Sequence, residues 1–325
     1  NPRAVREIAT MTEQRKPRVV ADTPLADTVL ELMDNRVELL PWDVALEGCD
    51  DPVDGLYTYG HLEVDGSVMD RLSGLKVISN FGVGVDHINV QDARDRGIPV
   101  GNTPNVLNGA TADMALTLML ASGRRLVEGD CYARSAEFTY YDPGYMLGRE
   151  IHSETVGIVG MGRIGLEVAR RCAAFNMNIL YYNRRERTDL PPELNATYTS
   201  FDDLLTESDY VVLVCPLTDE TRGLIGAEQL SKMKQTAILI NIARGGVVDT
   251  DALTNALKNC EIYHAGLDVT EPEPLPRGHE LLSLSNVTIA PHLGSATEQT
   301  RFKMAELSVE NLMLGLAGEP LRTTV

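Results

Sequence analysis

The chain has 325 residues, of which 43% are hydrophobic and 23% charged, and a formal net charge of -18 at pH 7. That length is too great for one comfortable core and points to two domains. The negative balance repels nucleic acid phosphates and anionic lipid, so neither is expected as a partner, and any bound anion must be met by a local cluster of positive groups.

In chain order, the opening NPRAVREIAT (1–10) is polar, lacks a signal-peptide core and reads as vector-derived, with Met11 as the native start. KPRVVAD (16–22), VELLPW (37–42), GLYTYG (55–60) and LKVISN (75–80) are strand candidates, with helical patterns between them at LADTVLELM (25–33) and VMDRLSG (68–74). Alternating strands and helices imply parallel βαβ units. LNGATADMALTLMLASGRRL (107–126) reads as one long, largely apolar helix, buried and linking two domains. A second series follows in TVGIVG (155–160), ILYYN (179–183), YVVLVC (210–215), AILINI (237–242), YHAGLDV (263–269) and NVTIAPH (286–292). These runs are apolar throughout rather than alternating, as in a parallel sheet covered on both faces. TEQTRFKMAELSVENLMLGLAG (297–318) is a final amphipathic helix. Its return to the first unit would make that domain discontinuous, 1–107 with 298–325, around a second domain at 108–297. No apolar run approaches the ~18 residues of a membrane span. Cys49, Cys131, Cys172, Cys215 and Cys260 are scattered, with no CxxC or Cys/His cluster. That suits reduced thiols in a cytoplasmic protein, and no metal site is expected.

GIVGMGRIGLEVARR contains Gly160, Gly162 and Gly165 in GxGxxG spacing, with a strand before and a helix after. In that context the glycines permit a tight turn, close approach of a pyrophosphate and close helix–strand packing, and the helix N-terminus at Arg163 and Ile164 faces the phosphates. The motif predicts a ribose-reading acid at the end of the next strand. That position holds Asn183, followed by Arg184 and Arg185. An amide removes the repulsion of a 2′-phosphate and two guanidinium groups can meet it, which favours NADP(H) over NAD(H). Two solvated loop charges are the plainer alternative.

Three stretches carry further chemistry. NIARGGVVD (241–249), LDVTEPEP (267–274) and IAPHLGSAT (289–297) place Arg244, Glu273 and His292 just after successive apolar strands. Ligands bind at that edge of open α/β sheets. Earlier, FGVGVDHIN (81–89) offers a glycine-rich turn at Val83 and Gly84, or only a turn before a helix capped by Asp86.

From about residue 17 onward the chain resembles the D-2-hydroxyacid dehydrogenase family, on VGVDHI, GMGRIG, VCPLT, NIARGGVVD, GLDVTEPEP and APHLGSAT in order. The Asn-Arg-Arg stretch is most similar to the glyoxylate/hydroxypyruvate reductases of that family. The resemblance implies an α/β fold with a Rossmann-type doubly wound parallel sheet and a flavodoxin-like substrate domain. It implies an oxidoreductase passing a hydride between a nicotinamide coenzyme and a small 2-keto or 2-hydroxy acid. His292 would be the proton donor, Glu273 its carboxylate partner, and Arg244 the grip on the substrate carboxylate. Val83, Gly84 and Ser295 would meet substrate. Thr111, Cys215, Ile242, Asp268 and Gly294 would lie along the coenzyme. A homodimer through the cofactor domain is implied too. In FTYYDPGYMLGREI (138–151) tyrosines stand where the family often has Trp, and Tyr141 is the candidate to enter a partner's site. A 2-ketogluconate reductase, another D-2-hydroxyacid dehydrogenase and a dinucleotide-sensing corepressor-like binding protein are the alternatives.

Overall fold

A computed structural model describes residues 15–22 and 24–325. The segment read as vector-derived, and Met11, lie outside the described residues. The elements are β1 (Arg18–Ala21), α1 (Asp27–Met33), β2 (Glu38–Leu40), α2 (Asp43–Glu47), β3 (Gly55–Thr58), α3 (Gly66–Arg71), β4 (Val77–Asn80), α4 (Val90–Asp95) and β5 (Val100–Gly101). Then come α5 (Asn108–Gly123), α6 (Leu126–Ala133), β6 (Thr155–Val159), α7 (Arg163–Ala174), β7 (Asn178–Tyr182), β8 (Thr197–Tyr198), α8 (Phe201–Glu207) and β9 (Tyr210–Leu213). The chain closes with α9 (Ala227–Lys232), β10 (Ile238–Asn241), α10 (Thr250–Lys258), β11 (His264–Leu267), β12 (Val287–Ile289) and α11 (Glu298–Leu316). Among the described residues, no helix is long and apolar enough to cross a membrane.

The chain divides after Pro104 and again after Arg301: the residues up to Pro104 join Phe302–Val325 in one unit, and Asn105–Arg301 form the other. The first unit holds a parallel sheet in the order β2-β1-β3-β4-β5, the flavodoxin-like arrangement. Val20, Leu56, Ile78 and Val100 fill one face of it. The length of α11 that belongs to this unit is tied to the sheet by buried hydroxyls: Tyr57 Oη and Ser308 Oγ are 2.7 Å apart, and Ser79 Oγ donates to the Ser308 carbonyl at 2.7 Å.

The second unit holds a parallel sheet in the order β12-β11-β10-β9-β6-β7-β8. The order reverses between β6 and β9, the switch point of a doubly wound fold. Strand periodicity explains the continuous apolar runs. Val156, Ile158, Val212, Ile238 and Ile240 point to the face covered by α5 and α7. Val159, Val211, Leu213 and Leu239 point to the face shared with Leu253, Ala256 and Leu257 of α10. Both faces are dry, so neither set can be polar.

Two readings of the sequence need correction, and two short strands add to it. The helix expected over 107–126 stops at Gly123, and after Arg125, whose φ is 49, a separate α6 begins. Helix α4 is capped by Asn89, whose side chain accepts from the Asp92 N–H at 3.0 Å, and not by Asp86. The short strands β5 and β8 were not anticipated, being two residues each.

Candidate active site

The turn between β6 and α7 is built from glycine for steric reasons. Gly160 has φ +106, and a Cβ there would lie 2.7 Å from the Cys215 backbone N. A Cβ on Gly165 would lie 2.3 Å from the Gly160 carbonyl oxygen. Gly162 differs: it is the N-cap of α7, brings no side-chain cap, and its Cβ would meet nothing within 4 Å. Open space therefore stands at a helix N-terminus begun by Arg163 and Ile164, whose first-turn N–H groups lack helical partners. That is a cradle for an anion, and it fits a dinucleotide pyrophosphate.

The end of β7 closes on the same turn. Asn183 Oδ1 accepts from the Met161 N–H at 2.7 Å. Arg187 donates through Nη1 to the Met161 carbonyl at 3.1 Å and is forked onto Asp189 at 2.8 and 2.6 Å. Arg184 and Arg185 are exposed. The Glu220 carboxyl, held below its ordinary range chiefly by the Thr218 hydroxyl, also senses the charge of Arg184. Cys215 packs beside Gly160, and burial pushes its thiol up to about 11, so it stays protonated and apolar at neutral pH. Ile242, buried, donates its N–H to the Leu213 carbonyl at 3.4 Å and so lies at the ends of the same strands.

Arg244, Glu273 and His292 follow the adjacent strands β10, β11 and β12. Asn241, 1% exposed, shapes the first of these turns: its Nδ2 donates to the Arg244 carbonyl at 2.9 Å and its Oδ1 accepts from the Ala243 N–H at 3.0 Å. A Cβ on Gly245 would lie 2.1 Å from the Thr270 carbonyl, so the loops after β10 and β11 touch. Glu273 Oε1 lies 2.7 Å from His292 Nδ1, and its Oε2 accepts from the Thr270 N–H at 3.3 Å. An ionised carboxylate only accepts, which places a proton on Nδ1.

His292 adopts φ 57, a left-handed backbone for a residue with a Cβ; such strain persists only where surroundings impose it. Asp268 imposes it. Its carbonyl accepts the His292 N–H at 2.8 Å, and its carboxylate accepts the Leu293 and Gly294 N–H groups at 2.6 and 2.7 Å. Burial raises the Asp268 pKa, opposed by those two N–H bonds and by the charge of His292. A Cβ on Gly294 would lie 2.9 Å from Asp268 Oδ2 and 3.5 Å from Thr111 Cγ2, which puts buried Thr111 in the same cluster. Ser295 follows, half-buried, its carbonyl accepting the Thr297 N–H at 2.9 Å.

The structure thus brings Thr111, Asp268, Glu273, His292 and Gly294 together, and sets Arg244 two strands from β12 at the same carboxyl edge. Val83 and Gly84 belong to the first unit. Their turn has its carbonyls engaged by Asn102 Nδ2 at 3.0 Å and Asn80 Nδ2 at 2.9 Å. Tyr141 is 80% exposed, in a stretch that also exposes Phe138, Tyr140, Tyr145 and Leu147. Among the described residues, no group of three or more His, Cys, Asp or Glu side chains is placed to hold a metal ion. The sequence reading passed over Asn241, whose Asn-x-x-Arg spacing was a usable sign of a side chain closing its own turn, and over Arg187.

The family profile described as D-isomer specific 2-hydroxyacid dehydrogenase, NAD binding domain, matches residues 116–294. The chain belongs to this family. The glyoxylate reductase of Thermococcus kodakarensis is 45% identical over 322 residues, covering 95% of this chain and 96% of that protein. That of Pyrococcus horikoshii is 43% identical over 316 residues, 94% of each chain. Among solved structures, the NADPH-dependent glyoxylate/hydroxypyruvate reductase of Sinorhizobium meliloti, in complex with NADP and malonate, superposes with a TM-score of 0.86 at 34% identity, over 95% of this chain and 97% of that one. The two parallel sheets described above are those of a two-domain 2-hydroxyacid dehydrogenase.

Proposed function

We propose that the protein is a cytoplasmic reductase of small 2-keto acids, glyoxylate and hydroxypyruvate first, making D-2-hydroxy acids with NADPH in preference to NADH. The observation that carries the chemistry is the 2.7 Å Glu273–His292 pair at the carboxyl edge of the sheet that also bears the glycine turn. The curated relatives support the substrate class, and the Sinorhizobium meliloti structure with NADP supports the coenzyme.

A bound nicotinamide coenzyme would supply the hydride to the keto carbon. His292 then delivers a proton to the keto oxygen, giving the hydroxyl, and takes it back in the reverse direction. Glu273 fixes the ring so that Nε2 faces substrate and stabilises the charged imidazolium before transfer. Arg244 holds the substrate carboxylate and polarises the carbonyl, a task that suits a forked, fixed charge. Ser295 adds a substrate contact. Asp268 sets the backbone of His292, and with Thr111, Gly294, Cys215 and Ile242 it lines the coenzyme. Gly160, Gly162, Arg163, Ile164 and Gly165 hold the pyrophosphate, while Asn183 leaves room for a 2′-phosphate that Arg184 and Arg185 meet. The exposed aromatic stretch around Tyr141 supports pairing of two copies through this unit.

Rates for glyoxylate, hydroxypyruvate, pyruvate and 2-ketogluconate with each coenzyme test the reading. No oxidation of NADPH with any keto acid would sink it. Arg184→Ala with Arg185→Ala is expected to weaken NADPH by about a hundredfold and NADH by much less, from two lost charged contacts; equal losses would remove the arginines from phosphate recognition.

A further inference from the structure

The segment after β7 carries a third arginine, Arg187. Arg187 sits at the far end of the stretch that begins at Asn183, and its side chain turns back onto the glycine loop. Nη1 donates to the Met161 carbonyl at 3.1 Å and reaches the Gly162 carbonyl at 3.5 Å. Nε and Nη2 are forked onto Asp189. Its own backbone is pinned as well: the Arg187 N–H donates to Tyr181 Oη at 3.1 Å, and that hydroxyl donates to the Arg187 carbonyl at 3.3 Å. Tyr181 is 1% exposed and part of the core.

Met161, fully buried, is therefore gripped at both polar ends of its backbone, the N–H by Asn183 and the carbonyl by Arg187. The residues between the two grips are Arg184, Arg185 and Glu186. A loop of three residues held at both ends on one buried residue has few conformations left. The entropy of ordering two arginines around a phosphate is then partly met before binding. Charge adds a second effect. Asp189 stands two residues from Arg187 and would repel a dianionic phosphate, and Arg187 neutralises it. The Arg187 side chain is 24% exposed and has donors committed on Asp189 and the carbonyls, so it acts through its neighbours rather than on the ligand.

We infer that Arg187, braced by Asp189, is a positioning residue that holds the phosphate-reading arginines against the glycine turn and so contributes to selection of NADPH over NADH. This rests on the coenzyme preference proposed above.

The experiment is coenzyme titration, followed by nicotinamide fluorescence, on the full chain carrying Arg187→Met, Asp189→Asn, both together, or Arg187→Lys, with thermal melting of each. Arg187→Met is expected to weaken NADPH about tenfold, the scale of one lost charged hydrogen bond, and NADH by less than about threefold. At saturating NADPH its kcat stays near wild type, while KM for NADPH rises. Asp189→Asn alone shifts NADPH by less than about threefold, and in the double variant it returns part of the loss by removing the bare carboxylate. Arg187→Lys, which keeps the charge but cannot span the fork and the carbonyls, falls between wild type and Arg187→Met; it carries the test if the Met variant does not fold. Equal weakening of both coenzymes by Arg187→Met or Arg187→Lys, or unchanged NADPH binding, overturns the inference. A wild-type chain that prefers NADH overturns the coenzyme preference itself, a result visible before any variant is made.

Discussion

Alanine at two glycines of the same turn should separate coenzyme contact from folding. At Gly162 the backbone φ is -85, which any residue adopts, and the new methyl would meet nothing within 4 Å. Stability should move by no more than about 0.5 kcal/mol. The methyl would instead project into the space at the N-terminus of α7, where a pyrophosphate would sit. Both coenzymes carry that group, so NADPH and NADH should weaken alike, by at least about tenfold, or about 1.4 kcal/mol. At Gly165 the opposite holds. The methyl would lie 2.3 Å from the Gly160 carbonyl oxygen and 3.4 Å from Ile158 Cγ2, both within the protein. Alanine gains about 1 kcal/mol of helix propensity there, but the overlap must push α7 off β6. Overpacking of this kind costs about 1–3 kcal/mol or more, so the melting temperature should fall by a few degrees. Urea melts and fluorescence titration of each coenzyme read the two effects separately. Wild-type coenzyme binding by Gly162→Ala, or a loss of stability equal to that of Gly165→Ala, would refute the placement of the pyrophosphate over Gly162.

Other consequences can be checked as directly. His292→Ala should lower kcat by about 10²–10⁴, the range for a positioned proton donor, with NADPH affinity near wild type; loss of NADPH binding would contradict the role of the ring. Burial lowers the pKa of His264 to about 4, so as pH falls from about 6.5 the unfolded chain takes up a proton that the native chain refuses. This group should therefore cost about 3 kcal/mol of stability between pH 6.5 and 4, and none of it above pH 7. Urea midpoints of wild type and His264→Gln across that window should diverge in slope; parallel curves would show that His264 does not titrate there.

Much of the fold was legible because its strands are dry on both faces. Val156 to Val159 and Ile238 to Asn241 read as strands without any periodicity test, since each alternate side chain enters a different core. The break between α5 and α6 was hidden because Arg125 takes a left-handed backbone, a conformation the sequence signals only when glycine or asparagine stands there. Strand β8 was hidden for another reason: Thr197 and Tyr198 are exposed edge residues with no buried pattern to read. At the site, residue types and their strand-end positions pointed to Arg244, Glu273 and His292. What no spacing could reveal was contact across the turn. That Asn183 accepts from Met161, that Arg187 reaches back to the same residue, and that the buried Asp268 organises three successive residues, one through its carbonyl and two through its carboxylate, all depend on how distant segments meet.

The Met161 N–H asks of residue 183 only an acceptor oxygen. Aspartate offers that oxygen in nearly the same place as asparagine, so either residue keeps the turn tied to the strand end. The two differ at the remaining terminal atom, an amide nitrogen in one case and a charged oxygen in the other. A lineage could therefore pass between the acidic and the amide form in a single substitution without loosening the frame, and adjust the following arginines afterwards. If residue 183 reads the coenzyme as proposed, that choice would be a replaceable label on a fixed mount, open to change without disturbing the Glu273–His292 pair.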